Sequence, residues 1–459
     1  MNNRRLTRIF GIARGIASAA SAFLCLVSAS LVQSCAAMPK GKIDWSASRA
    51  ASAGAGYASA EAWEEDLAFL ERTLEERHPS PWHAAPRAAF SAALRAGGAD
   101  ARPGAQAVAE ARAAAVARAL ALLGEGHTRL VPQLELARGL GLSVSRGADG
   151  YYVLGALATA GADSPALDLV GGRIVSIGDV PMDEAAERLR PFVSAENELA
   201  AREQIARILP RAGFLVAAGL AGAQECSVRI EVELSGRRLS RELAFDPAAF
   251  GDSGNGVWKD AFELSPIASA RTLPTADPYR YEYFPESGAL FFQYNSCSES
   301  PDLSFRKFCA GLFEAIERGK PERLVIDLRN NGGGNSALFT FGFMPRIKRS
   351  YLNERGRLFV LIGPRVFSSG VFAAHELRVG TQAIFVGEPT GQGPNHYGYT
   401  GYFSLPNTGL AIMHSTRYWK LESGSTEDSI RPDIAVPKDI PAILAGRDTL
   451  AEAALTFGR

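Results

Sequence analysis

The chain has 459 residues, 47% of them hydrophobic and 21% charged, with lysine plus arginine and aspartate plus glutamate equal at 49 each. That is ample for a large core and predicts two to four domains rather than one small one. With no net charge and no basic block in the body, nucleic acid is excluded as the expected partner.

The first 35 residues differ from the rest. Arg4, Arg5, Arg8 and Arg14 precede the apolar run IASAASAFLCLVSASLV, and Gln33-Ser34-Cys35 follows. A basic start before a short apolar stretch reads as an export signal. The ending resembles a lipoprotein signal, in which Cys35 becomes the lipidated first residue. Cleavage near Ala37 and an uncleaved anchor are the alternatives. Removing residues 1–34 leaves 45 basic and 49 acidic residues. Residues 36–56, rich in Ala, Gly and Ser, read as a tether.

Residues 58–75 carry apolar positions at helical spacing, and Pro79 and Pro81 end that helix. A second helix is predicted over 86–96 and an alanine-rich one over 106–123, stopping at Gly124-Glu125-Gly126 before His127 and Thr128. Together, 57–130 form a predicted helical cap. From about 140 the texture turns to short β-like runs, with helices over 197–220 and a hairpin turning near Ser235-Gly236. Residues 131–270 are therefore a β-rich region with helices. Its segment GGRIVSIGDVPMDEA is PDZ-like, and Gly139-Leu140-Gly141-Leu142 faintly matches the carboxylate-binding loop of peptide binders. A degenerate β domain is the equal alternative.

Residues 271–459 alternate differently. ALFFQYN, RLVIDLR, RLFVLIG and QAIFVGE read as strands separated by helices, which predicts an α/β core of βαβ units with a mostly parallel sheet. Sites in such cores lie beyond the carboxyl ends of the strands. Two loops qualify: DLRNNGGGN (327–335) and PRVFSSG (364–370). The second sets a serine just before a helix, whose first-turn N–H groups can hold a developing oxyanion. Only Cys226, Cys297 and Cys309 remain beside Cys35 in the exported chain, so no disulfide framework exists; Cys297 and Cys309 are the nearer pair for a single bridge. There are six histidines and no HExxH or CxxC. No metal or organic cofactor is implied.

VIDLRNNGGG, SSG before a helix and FVGEPTGQG, in that order, resemble the S41 serine peptidases, a family of C-terminal processing and tricorn-like enzymes. GEGHT at 124–128, LPNTGL and IRPDIAV fit the same pattern. The resemblance spans about 60–445 and implies a core of the ClpP/crotonase-like type, a helical cap and peptide-bond hydrolysis. It places the nucleophile on Ser368 and the oxyanion donors on the N–H of Ser369 and of Gly332 or Gly333. One branch of the family uses a lysine base, but Gln392 and Gly393 occupy that position here. The other uses histidine, matched by His127, with an orienting acid shortly before Pro432-Asp433. Glu427 and Asp428 are the candidates for that acid, with Glu422 third. His78 is expected to brace the cap, and His375 to be a packing residue. Protein or peptide substrates and a membrane tether through Cys35 follow from the same resemblance. The rival readings are a serine esterase, or a non-catalytic binder such as the retinoid-binding proteins that share this fold.

Overall fold

The computed structural model describes residues 59–96, 105–131, 138–159, 164–222, 225–246, 249, 256–264, 272–273 and 275–458. The export segment, Cys35 and the tether lie outside the described residues. No described helix is long and apolar enough to cross a membrane.

Three helices open the chain: α1 (Ala60–Arg77), α2 (Arg87–Ala96) and α3 (Ala105–Ala121). Ser59 caps α1 by accepting from the Ala62 N–H at 3.2 Å. Trp63, Leu67, Leu70 and Leu74 repeat at helical spacing and are buried against Phe90, Leu94 and Leu120. Gly124 (φ +66°) ends the α3 segment in a left-handed conformation. The strand β1 (Arg129–Leu130) follows.

The β-rich region holds β2 (Leu142–Gly147), β3 (Gly150–Thr159), β4 (Arg173–Ile177), β5 (Val180–Pro181), α4 (Met182–Leu189), α5 (Glu198–Ile208), α6 (Ala212–Ala217), β6 (Ser227–Leu234), β7 (Arg237–Ala244), β8 (Gly256–Asp260) and α7 (Ala261–Leu264). Its seven-stranded sheet runs β2-β3-β4-β6-β7, with β5 beside β4 and β8 beside β3. Ser235 and Gly236 both take positive φ in the β6–β7 turn, at the expected position. One apolar cluster runs through this region and the three opening helices, from Leu70 and Leu120 to Val153, Phe214 and Ile230.

The C-terminal part contains β9 (Tyr279–Phe284), β10 (Ala289–Tyr294), α8 (Phe305–Gly319), β11 (Arg323–Asp327), α9 (Ser336–Gly342), α10 (Met344–Ile347), β12 (Leu358–Ile362), α11 (Ser369–Gly380), β13 (Ile384–Gly387), β14 (Asn395–Ser404), β15 (Ala411–Lys420), β16 (Ile434–Ala435), α12 (Ile440–Leu444) and α13 (Thr449–Thr456). Strands run β16-β13-β12-β11-β10-β9, all parallel except β9. The strand sequences are continuously apolar because both faces are covered. Leu358, Val360 and Ile362 pack with Phe339, Phe343 and Leu377, while Phe359 and Leu361 point oppositely toward Ala451 and Ala454. The antiparallel sheet β1-β15-β14 joins the end of the opening helices to this part. The fold is thus mixed helix and sheet, as expected. Cys226, Cys297 and Cys309 are all free thiols, so the single bridge does not form.

Asp66, fully buried on α1, clamps the β14–β15 turn. Its carboxylate accepts from Asn407 N (2.8 Å), Thr408 N (2.8 Å) and Thr408 Oγ1 (2.6 Å). Asp66→Ala would strand these buried donors at a cost of about 3 kcal/mol. The expected result is a clear fall in the urea midpoint; a change of less than about 0.5 kcal/mol would show the clamp to be dispensable.

Candidate active site

The glycine loop after β11 is held from below by Asn331. This fully buried side chain donates Nδ2 to Tyr294 O at 2.8 Å, and its Oδ1 accepts from Gly333 N at 3.0 Å. Arg329 turns the other way and pairs with Asp327 and Asp448. The loop after β12 packs onto the glycines so closely that a Cβ on Gly333 would lie 2.7 Å from Ser368 Cβ. A Cβ on Gly370 would lie 2.4 Å from Asn331 O. These glycines are required by contact, not only by turn geometry.

Ser368 sits at the N-cap of α11 with φ +52° and ψ −127°, a conformation that L-residues rarely adopt. Such strain persists only where the surroundings over-determine it. Here Phe367 N donates to Asn331 O (3.0 Å), Val371 N to Ser368 O (2.8 Å) and Ser368 N to Gln392 Oε1 (2.9 Å). Ser369 Oγ donates to Gly334 O at 2.6 Å. Gly333 N is committed to Asn331 Oδ1.

His127 arrives from the turn after α3. It is buried, with its imidazole stacked on Phe367 at 4.4 Å between centroids. Its Nδ1 lies 3.3 Å from Gln392 Nε2. Among the described residues no hydrogen bond joins His127 to Ser368. Burial pulls the imidazole down to about 4, so it is neutral at physiological pH.

Two carboxyl groups flank this ring. Glu125 Oε2 accepts the backbone N–H of His127 at 2.7 Å, and Oε1 accepts from Ser415 Oγ at 3.0 Å. His78 Nδ1 accepts from Ser80 N, so the proton sits on Nε2, which donates to Glu125 Oε1 at 3.3 Å. His78 therefore braces the GEGHT turn. Burial acts to raise the Glu125 carboxyl, but the hydrogen bond from His78, the nearby His127 and the hydrogen bond from Thr128 hold it below its ordinary value. Glu196, before α5, has the opposite fate. Burial first, and then the neighbouring Glu125 charge, push it up to about 8. Two carboxylates this close cannot both ionise cheaply, so Glu125 keeps the charge and Glu196 the proton. Glu125, His127 and Glu196 bring ligand atoms within 4.8 Å of one another, a donor set of metal type, but the Glu125 oxygens are already occupied by hydrogen bonds.

The expected acids lie close in backbone and apart in side chain. A Cβ on Gly393 would lie 2.0 Å from Glu427 O, yet the Glu427 carboxylate pairs with Arg431 at 3.4 Å. Asp428 Oδ1 accepts from Ser429 Oγ, and Glu422 lies 3.8 Å from His375 Nε2. The residues found at the ring instead are Glu125, Glu196 and Gln392. Glu125 was visible in GEGHT; Glu196 carries no local signal. Gln392 stood in the sequence only as a missing lysine.

A strained serine at a helix N-terminus, a glycine loop against it and a buried histidine are thus gathered around Gln392. No protein-family model matches the chain, and no curated protein matches it. Among solved structures, mature CPAF complexed with lactacystin matches with a TM-score of 0.57 at 13% identity, covering 86% of this chain and 97% of its own. Mature CPAF alone gives 0.55 at 14% identity, over 86% and 95%. The photosystem II D1 C-terminal processing protease matches over 86% and 99% at 14% identity, with a TM-score of 0.39. These neighbours are S41-type peptidases, and at such identities the CPAF likeness is one of fold.

The proton on Glu196 has a measurable consequence. Its folded value lies above the ordinary 4.5, so its contribution to stability is complete below about pH 4.5 and is lost as pH rises through about 8. Glu196→Gln removes that loss. The variant should gain on the parent in melting temperature between about pH 5 and pH 8.5. A constant difference across that range would mean that Glu196 ionises in the folded protein.

Proposed function

We propose that this chain is a serine peptidase in which Ser368 attacks the scissile carbonyl and His127 accepts its proton. The observation that carries this reading is the strained Ser368 elbow, with the Ser369 N–H beside it and a neutral imidazole buried in the same site. In the acylation step the Oγ–carbonyl bond forms, the Oγ proton passes to His127 and the carbonyl oxygen becomes an oxyanion against Ser369 N–H and Gly332 N–H. Collapse breaks the C–N bond, and the leaving amine takes the proton from His127. Water then repeats the sequence to release the acyl group. A Ser–His–acid site completed by Glu427 or Asp428 would need either side chain to leave its present partner.

The finer parts of the reading are a core of the ClpP/crotonase-like type, a cap over 57–130, a PDZ-like β region and endopeptidase action on extracytoplasmic proteins. Attachment to the envelope would follow from lipidation of Cys35. Mass spectrometry should find Cys35 as the lipidated first residue of the exported chain; a first residue at Met1 or Ala37 would refute this.

A second reading, a non-catalytic ligand- or peptide-binding protein, is favoured by one observation: His127 faces Gln392 rather than Ser368 Oγ. A fluorophosphonate separates the two, because only an activated Ser368 is labelled. Cleavage of a denatured protein, read as fragments, then separates peptidase from esterase. Ser368→Ala should abolish both signals with an unchanged melt. His127→Ala should lower kcat about 10²- to 10⁴-fold.

The pH profile tests the base itself. A histidine base works when neutral, so kcat/KM rises as pH climbs through its pKa. An unperturbed imidazole predicts a limb near about 6.5. Burial of His127 moves the expected limb to about 4, leaving activity flat from about pH 5.5 to 7.5. A limb between about 6 and 7.5 would show that the working site is wetter than this structure.

A further inference from the structure

Gln392 is fully buried and uses both ends of its side-chain amide. Oε1 accepts the Ser368 N–H at 2.9 Å. Nε2 donates to Glu196 Oε1 at 2.6 Å, lies 3.3 Å from Tyr397 O, and faces His127 Nδ1 at 3.3 Å. This orientation is fixed by chemistry. Turned over, the amide would set NH₂ against an N–H and oxygen against two oxygens.

We infer that Gln392 is a positioning residue that fixes the nucleophile's backbone relative to the base's ring, and that Glu196 holds Gln392 in that role. The inference rests on the Ser368–His127 reading above. Gln392 occupies no proton-transfer step. It captures the Ser368 N–H, stabilising the strained elbow and leaving the Ser369 N–H for the oxyanion.

The surroundings prevent the amide from wandering. A Cβ on Gly391 would lie 2.2 Å from Pro364 O, and one on Gly393 2.0 Å from Glu427 O, so the backbone on either side is pinned. Thr390 Oγ1 donates to Gln392 O at 2.8 Å. Asn197, next to Glu196, donates Nδ2 to Thr390 O and to Asp428 O, both at 3.0 Å. The segments that carry Glu196 and Gln392 are therefore tied together through Asn197 and Thr390, independently of their own bond.

The test uses the full chain and a peptide that the parent cleaves, with kcat, KM, melting temperature and the rate of fluorophosphonate labelling of Ser368 measured for each variant. Gln392→Met keeps the bulk and loses the amide. It should lower kcat and the labelling rate about 10- to 100-fold, with KM within about twofold. Glu196→Gln keeps an oxygen for Gln392 and should retain kcat within about threefold, whereas Glu196→Leu should fall as Gln392→Met does. The double variant Gln392→Met/Glu196→Leu should cost no more than Gln392→Met alone. An unchanged kcat in Gln392→Met, or a loss confined to KM, overturns the positioning role. If Gln392→Met does not fold, equal kcat in Glu196→Gln and Glu196→Leu overturns it instead. A parent that neither hydrolyses peptide nor labels overturns the hydrolase reading, and this role with it; an active parent indifferent to the variants overturns only the role.

Discussion

Strand direction is the constraint on which the site depends. Because β11, β12 and β13 run parallel and in register, the loops that follow them emerge at one edge of the sheet. Those loops carry Asn331 and its glycines, Ser368, and Gln392. They then touch one another with no room for side chains: Gly370 against Asn331 O, Gly333 against Ser368 Cβ, Gly391 against Pro364 O. The three glycine-bearing motifs are thus one contact network and not three independent turns. A larger residue at any of these glycines would move a neighbouring loop, and with it the elbow that carries Ser368.

The other half of the site comes from far along the chain. His127 follows the opening helices and Glu196 precedes α5, and both are carried into place by the apolar core that those helices share with the β-rich sheet. Glu125 is the junction. It receives His127 from its own turn, His78 from the end of α1 and Ser415 from β15. A single ionised carboxylate with this many donors is tolerable in a buried site, whereas a second one beside it is not. Glu196 therefore keeps its proton, and the imidazole loses its own to burial.

Much of this was legible in sequence, for identifiable reasons. Buried parallel strands read as short apolar runs, so ALFFQY and LFVLI marked β10 and β12 directly. Gly124 and the paired Ser235-Gly236 marked a helix end and a hairpin turn because positive φ selects few residues. Ser368 was singled out by the resemblance of SSG and GEPTGQG to the S41 pattern, because a serine before a helix is by itself an ordinary N-cap. Glu196 was invisible: it meets Gln392 across almost two hundred residues of chain, and a pairing at that range leaves no periodic trace. Glu427 and Asp428 show the converse limit. Spacing brought their backbone against Gly393, but a side-chain rotamer is decided by partners such as Arg431 and Ser429, which spacing does not encode.

The glutamine at position 392 has an electrostatic consequence. A lysine there would face Glu196, draw its proton off and form a buried ion pair beside His127, with a desolvation cost that such pairs seldom recover. A neutral amide satisfies the same carboxyl as a hydrogen-bond donor and adds no charge. The nearby ionised groups are then Glu125 and Arg129, which oppose each other. With Glu196 protonated, the ring of His127 lies among neutral partners, Gln392 and the imidazole of His396, with the Glu125 carboxylate as the nearby anion. A glutamine at this position therefore differs from a lysine in charge as well as in basicity. It leaves uncharged the space beside a histidine that burial already keeps neutral.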